Sequence, residues 1–472
     1  MTTYIIGMDG MDKQIVEENI EEFPNLSELT ITGLESVTPP ITVPAWACSF
    51  SGLNPDKLET FDFQMVDVKT YEFSPANHEF LQKKGFWNYW NDSSTIFSIP
   101  GTETPKLDGY SLGGFFDLEN LETHPESLRD EIEEEIGEIE ITNMFDLNSE
   151  KERREAAYHN FEVRKKIFDL LLEKNSDVYF PVFRLPDTMM HHTDSEKHMV
   201  ESYREVDSFV GELRDKMSED DNLLIVSDHG AVKAKRRFFI NTWLKQNGFA
   251  KQKEGEENSF LDDLAMKLGD IGQRLGFRDL LVKLNNLAQE KAGKNFAPRK
   301  TKALDSMAWQ ETEAFSYMTG VCAYAGIWIN DERFSKGVVE NTQEKKQEIA
   351  SELEKRKEVN KVRFREEVYE EDIEKFPDLI VEFYEDTKAA LGFHPEVTAS
   401  VSSYMHRKEG VLMAEGSNIV DSDEEAELID LAPTLLHLHD YPVPNHMDGE
   451  VLEMVKKGDV EKEVSEVAGL DI

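Results

Sequence analysis

Asp228 and His229 follow directly on four aliphatic residues, in Leu223-Leu224-Ile225-Val226-Ser227-Asp228-His229-Gly230. Such an unbroken apolar run reads as a strand buried on both faces of a parallel sheet. Ligands of open α/β sheets sit beyond the carboxyl ends of the strands, so both residues stand where a site would open. A carboxylate beside an imidazole suits a borderline cation such as Zn²⁺ or Mn²⁺. The same pair also reads as an Asp capping the next helix and a His packed locally.

Comparable groups recur elsewhere. Asp9 ends the short apolar run Tyr4-Ile5-Ile6 in Gly7-Met8-Asp9-Gly10, although an Asp there also makes a simple turn. Asp187 and His191 follow Pro186, and four-residue spacing sets both on one face of a helix starting there. Alternatively they are a helix-start Asp and a solvent-facing His. His406 stands just ahead of the apolar run Val411-Leu412-Met413-Ala414. Thr42 lies between Thr38-Pro39-Pro40-Ile41 and Val43-Pro44-Ala45-Trp46, where prolines stiffen the loop and open a helix. A hydroxyl at a helix N-terminus sits where the dipole and unpaired N–H groups favour an anion. It also serves there as an ordinary N-cap. Threonine attacks only when a cation or a base lowers its pKa, so Thr42 has chemistry only beside a metal. Lys233, Lys235, Arg236 and Arg237 form a cationic cluster just after the Asp228-His229 strand end. It is either a solvated face or a contact for an anionic substrate.

The elements that must position these groups alternate between strand and helix. Strands are expected at Tyr4–Ile6, Thr95–Pro100, Asp177–Arg184, Leu223–Val226, Cys322–Ile329 and Leu379–Phe383. Helices are expected after Pro44, around Phe86–Trp90, over Glu150–Leu172, near 341–357 and over Asp430–Leu436. The fold class is α/β, with a central mostly parallel sheet flanked by helices and interrupted by insertions. The core comprises residues 1–100, 151–250 and 303–455, and 101–150 is read as a surface insertion. Within 251–302, Leu261, Leu264, Leu268, Ile271 and Leu275 step at helical spacing, as do Leu280, Leu281, Leu284 and Leu287. They mark a helical cap insertion, and 456–472 is a polar tail.

Acidic residues number 95 against 52 Lys plus Arg, for a formal net charge of −43. A field of that sign repels bare nucleic acid and anionic membrane. With 39% hydrophobic residues the chain is too apolar for disorder. The even acidic excess fits a salt-rich cytoplasm, where counter-ions screen self-repulsion, and a melting temperature falling as KCl rises would refute that. Cys48 and Cys322, in apolar surroundings, are expected as buried thiols. No leader-like segment precedes Tyr4 and no apolar run reaches the length of a membrane span. A soluble, cytoplasmic protein is expected.

Taken together, these segments resemble the alkaline phosphatase superfamily. More closely they resemble its type I phosphodiesterase/nucleotide pyrophosphatase group, with the predicted phosphohydrolase/phosphomutase relatives. The resemblance rests on Gly7-Met8-Asp9-Gly10, Thr42-Val43-Pro44-Ala45-Trp46 with Gly52-Leu53-Asn54-Pro55, Asp187 with His191, Ser227-Asp228-His229-Gly230, and His406-Arg407. Asp430-Leu431-Ala432-Pro433-Thr434 and Met447-Asp448-Gly449 also fit. It implies two divalent metal ions, Zn²⁺ or Mn²⁺: one on Asp9, Asp228, His229 and the Thr42 oxygen, the other on Asp187, His191 and His406. It also implies a Thr42 nucleophile, a phosphothreonine intermediate and a small phosphorylated substrate.

The chain departs from the family pattern in two places. Nucleotide pyrophosphatases of this group carry an Asn downstream of the nucleophile, at a place that falls near Phe63 here. The His-Gly-Ile that often follows Gly-Leu-x-Pro is Leu58-Glu59-Thr60. Phosphate contacts are therefore expected from the Val43 backbone N–H and from Lys233 and Arg236. A sulfatase would need Cys or Ser at Thr42. A phosphomutase or phosphomonoesterase of the same superfamily is the alternative activity, and a metal-stabilised scaffold without turnover is a third reading. No motif encodes the natural substrate or the oligomeric state.

Overall fold

The structure, a computed structural model, describes residues 1–115, 121–137, 139, 141–142, 144, 147, 149–254, 304–371, 373–422 and 425–456, with the backbone of 462–463. The expected cap, from residue 255 onward, and nearly all of the polar tail lie outside the described residues. The backbone of Lys462–Glu463 pairs with Val443–Pro444.

The organising element is a nine-stranded sheet. At its centre Thr3–Met8 lies between Val178–Phe183 and Asn222–Val226, parallel to both. Ser94–Phe97 and Gly109–Leu112 continue the parallel array on one side. On the other side, Glu409–Gly416 runs antiparallel to Asn222–Val226 and to Thr30–Glu35. The three central strands are buried along their whole length, as their near-continuous apolar sequences require. Their carboxyl ends deliver Asp9, Arg184 and Asp228 to one edge.

Helices cover both faces. Ile6, Met8, Tyr179, Phe183 and Ile225 pack with Phe161, Phe168, Tyr203 and Phe209 from the helices Glu150–Leu172 and Glu196–Arg214. Ile5, Phe180, Val182 and Leu224 face Val43, Trp46 and Phe50 of the helix Thr42–Ser51, with Leu435 and Leu436 of Leu431–Leu438 beyond. Gly7 makes the closest approach of helix to sheet possible. A Cβ there would sit 2.6 Å from Trp46 and 2.8 Å from Val182. Trp46 is fully buried in that contact, and truncating it to Ala would cost about 3–5 kcal/mol.

A second group of strands closes the site. Gly230–Phe239 pairs with Thr398–Arg407 on one side and Thr387–Ala390 on the other. A four-stranded sheet of Ala314–Phe315, Tyr324–Ile329, Leu379–Phe383 and Val359–Phe364 lies beside it. The cationic cluster 233–237 is therefore part of a strand paired on both edges. The expected helix around Phe86–Trp90 shrinks to a single turn over Phe86–Asn88, where the Asn88 amide donates to the Gln82, Lys83 and Gly85 carbonyls. Part of 101–150 enters the main sheet through Gly109–Leu112. Both cysteines are free and buried. No described helix is long and apolar enough to cross a membrane.

Candidate metal centre and nucleophile

The ends of Thr3–Met8 and Asn222–Val226, the helix Leu185–His192 and the strand Thr398–Arg407 bring six predicted ligands into two groups of three. Asp9, Asp228 and His229 form one group, and Asp187, His191 and His406 the other. Within each, one ligand atom per residue lies inside 4.8 Å of the others. In the first, His229 Nε2 is 3.4 Å from Asp228 Oδ2 and 3.8 Å from Asp9 Oδ1. In the second, His191 Nε2 is 3.0 Å and His406 Nε2 3.8 Å from Asp187 Oδ1, and the two Nε2 atoms are 3.2 Å apart. The groups adjoin: the His229 and His406 rings stack at 3.6 Å, and the Asp187 N–H donates to the Asp9 carbonyl at 2.9 Å. Helix spacing after Pro186 does place Asp187 and His191 one turn apart on one face.

The donor set fits divalent cations. His229 Nδ1 lies 3.1 Å from the Gly230 carbonyl, and His406 Nδ1 lies 2.9 Å from that of Pro40. A carbonyl only accepts, so each ring donates from Nδ1 and turns a bare Nε2 lone pair inward, the outer-shell device typical of metal-bound histidines. Asp9 Oδ1, Asp228 Oδ2, Asp187 Oδ1 and His229 Nε2 are buried without a hydrogen-bond partner. Leaving four such atoms unpaired costs about 1–3 kcal/mol each. Two cations would satisfy all four, and hard-to-borderline oxygen and imidazole ligands leave Zn²⁺ and Mn²⁺ both open.

Titration properties follow from the burial. Burial raises the Asp9 carboxyl well above its ordinary value, with the Asp187 charge adding to it and Arg184 and Trp46 opposing it. Burial, followed by the Asp9 charge, likewise raises Asp228. For Asp187, burial pushes upward, but His191, His406 and His229 together outweigh it and hold the group low. Burial drops His229 to about 4 and pushes His406 well below its ordinary value. Both imidazoles are thus neutral at pH 7, the form that ligates a metal.

Thr42 is the first residue of its helix and is buried. Its flanks touch both groups: two residues before it the Pro40 carbonyl meets His406, and one turn after it Trp46 Nε1 donates to Asp9 Oδ2 at 3.2 Å. Val43, next in the first turn, has a backbone N–H with no carbonyl four residues earlier in the helix to receive it. Lys233 and Arg236 lie farther along. Ala231 is the register partner of His406, Lys233 is two residues beyond it, and Arg236 five. The Lys233 ammonium lies 5.6 Å from the Tyr404 ring centroid, and Arg236 ion-pairs with Asp386.

Two site residues escaped the sequence reading. Asp12 accepts from the Ala231 N–H at 3.0 Å and approaches Arg407 at 3.7 Å, bracing the strand that carries His406. Its only signal was proximity to Asp9. Arg184 lies beside Asp9; a cation at the end of a buried strand, three residues before Asp187, was the overlooked cue.

The sequence matches the family described as "Type I phosphodiesterase / nucleotide pyrophosphatase" over residues 3–411. No curated protein is matched. Human ectonucleotide pyrophosphatase / phosphodiesterase 5 superposes with a TM-score of 0.56 at 13% identity, covering 95% of this chain and 97% of that one. The murine counterpart gives 0.52 at 12% identity, covering 94% and 96%. At these identities the likeness concerns the fold.

Proposed function

This chain belongs to the type I phosphodiesterase / nucleotide pyrophosphatase family, and on that premise we propose that Thr42 is the nucleophile of a two-metal hydrolase. Its substrates are phosphodiesters or phosphoanhydrides. Membership already makes it an enzyme acting on phosphoric ester bonds. The observation supporting the finer reading is the convergence of both ligand groups on the loop and first turn around Thr42.

Asp9, Asp228 and His229 would hold one ion with the Thr42 oxygen, and Asp187, His191 and His406 the other. When bound, paired divalent cations supply Lewis-acid stabilisation of charge on the attacking and leaving oxygens. The protein's own contributions are these. Thr42 Oγ, relieved of its proton, forms a bond to phosphorus while the ester or anhydride oxygen departs with the bonding pair and takes up a proton. Water then attacks the phosphothreonine, restoring the hydroxyl and releasing the phosphate. The helix N-terminus, through N–H groups such as that of Val43, steadies the negative phosphoryl oxygens. Buried walls keep His229 and His406 neutral so that they stay ligands and do not trap protons.

The test is turnover of bis-p-nitrophenyl phosphate in high KCl with Zn²⁺ or Mn²⁺, wild type against Thr42→Ala. The variant should lose activity by roughly 1,000-fold or more while retaining its bound metal. A Thr42→Ala enzyme that keeps its turnover would remove Thr42 from the chemistry.

A further inference from the structure

A cavity of about 230 Å³ opens beside the chain that leads into Thr42, lined by residues 35–38, 54–56 and 367–370 among others. Three of its lining residues are buried. Asp56 is 2% exposed, and its Oδ2 accepts from the Glu370 and Glu371 N–H groups at 2.8 and 2.9 Å. Its Oδ1 has no partner among the described residues. Ser36 is 4% exposed, and its Oγ has no partner there either. Tyr369, the third, donates its hydroxyl to the Thr38 carbonyl at 2.8 Å.

The charge around these atoms is one-sided. Five carboxylates line the cavity, those of Glu35, Asp56, Glu367, Glu370 and Glu427, against the cations of Lys408 and Arg363. Both cations are engaged, Lys408 with Glu35 and Arg363 with Glu382. Lys408 also acts on Glu427, whose carboxyl is nevertheless pushed above its ordinary value by burial, Asp430 and Glu35. Asp56, Glu367 and Glu370 form no ion pair among the described residues. An unpaired buried oxygen in such a field costs free energy unless a cation joins it. Among the described residues only the Asp9 and Asp187 groups bring three candidate metal ligands within 4.8 Å, so this cavity is no ready metal centre. Its volume is about eight times the share of one water, roughly 30 Å³. That suits a compact organic ion, with Val37, Leu428 and Ile429 as apolar wall for its carbon chain.

The cavity wall and the Thr42 loop are one piece of chain. The Ser36 N–H donates to the Lys408 carbonyl at 2.9 Å. His406, two residues before Lys408, sets its Nδ1 2.9 Å from the Pro40 carbonyl, two residues before Thr42. Residues 36–42 are thus held at Ser36 and Pro40 by the chain that carries His406, and at Thr38 by Tyr369. We propose that this cavity binds a small organic ammonium ion, its N–H groups taken by Asp56 Oδ1 and Ser36 Oγ. By fixing Ser36 and Thr38 it pre-organises the loop and raises turnover at Thr42. The binding stands apart from the phosphoesterase reading; the effect on turnover rests on it.

The probe is 1,4-diaminobutane, titrated calorimetrically into metal-loaded wild type, Asp56→Asn and Ser36→Ala. High KCl screens loose attraction to the acidic surface. Asp56→Asn should bind on the order of 10- to 100-fold more weakly than wild type, and Ser36→Ala about threefold or more. The Ser36 hydroxyl has no protein partner to lose, so Ser36→Ala carries the comparison if Asp56→Asn does not fold. The uncharged analogue 1,4-butanediol should not bind. At saturation the diamine should raise wild-type turnover of bis-p-nitrophenyl phosphate by about twofold or more, and leave Asp56→Asn unmoved at the same concentration. Affinity within about twofold of wild type in every variant that folds, or equal binding of the diol, overturns the site. Binding that leaves turnover unchanged or lowers it overturns the effect on the loop. A wild type that binds the diamine but turns over no phosphoester upholds the site and overturns the phosphoesterase reading, and the effect on turnover with it.

Discussion

The two ligand groups differ in charge and in access. Asp9, Asp228 and His229 are completely buried, and ionised they carry two negative charges against one imidazole. Asp187, His191 and His406 carry one negative charge, and the His191 side chain is 31% exposed. Coulomb attraction in a low-dielectric pocket grows with each unscreened charge. If each group holds an ion, as proposed, the first would therefore be the stronger and slower site, and the second the exchangeable one, with His191 partly open to solvent. A fixed ion beside Thr42 and a more labile one beside the incoming water or leaving group would divide the labour of the two halves of the reaction.

The largest effect that bears on this difference comes from substitution. Asp228→Asn should lower turnover by well over the roughly 100-fold typical of losing a mere outer-shell partner, with excess metal restoring little. His191→Ala should cost on the order of 10- to 100-fold and be partly rescued by millimolar Mn²⁺, because its group retains Asp187 and His406. Equal losses with equal rescue would show that the two groups work as one site.

A smaller effect lies in the order of metal loss. Stepwise chelation, followed by metal analysis, should pass through a stable species with one ion per chain, and His191→Ala should start from that species. Acid should sharpen the sequence. Burial raises both Asp9 and Asp228, so a cation there would compete with protons at higher pH than at an ordinary carboxylate. Uptake at the first group should therefore release protons and tighten as pH rises. Both ions leaving together at every pH would break the comparison.

How far the sequence led to this arrangement depended on the kind of signal each residue carried. Asp9 and Asp228 were legible because each ends an apolar run that only a buried strand explains. Asp187 and His191 were legible because Pro186 fixes the start of a helix and hence their shared face. The grouping of the ligands came only with the family resemblance, and the contact of His406 with the Pro40 carbonyl only with the structure. It joins residues 366 positions apart, and no local pattern encodes that. The charged stretch 233–237 concealed a strand, since Lys233 pairs with Tyr404 and Arg236 ion-pairs with Asp386. Polar residues on a half-exposed strand look like a solvated face when read alone. Arg184 was passed over for the complementary reason, being a single charge at the end of an apolar run.

The finest comparison concerns what couples the two groups. Asp12 lies three residues after Asp9, accepts from the Ile15 and Ala231 N–H groups at 3.0 Å each, and so ties the Asp9 turn to the strand whose Ala231 is the register partner of His406. Burial raises its pKa from 3.8 to about 6. Between those values the folded chain holds a proton that the unfolded chain has released. Stability from this group is present below pH 3.8 and is lost as pH rises through about 6, a change of about 3 kcal/mol. Asp12→Asn keeps one carbonyl acceptor and cannot titrate. Urea unfolding of the metal-free protein should show the wild-type-minus-variant stability falling across that window and flat above it. An unchanged difference would mean that the Asp12 carboxylate is already ionised in the fold, and that its ion pair with Arg407, 3.7 Å away, is what holds the two groups in register.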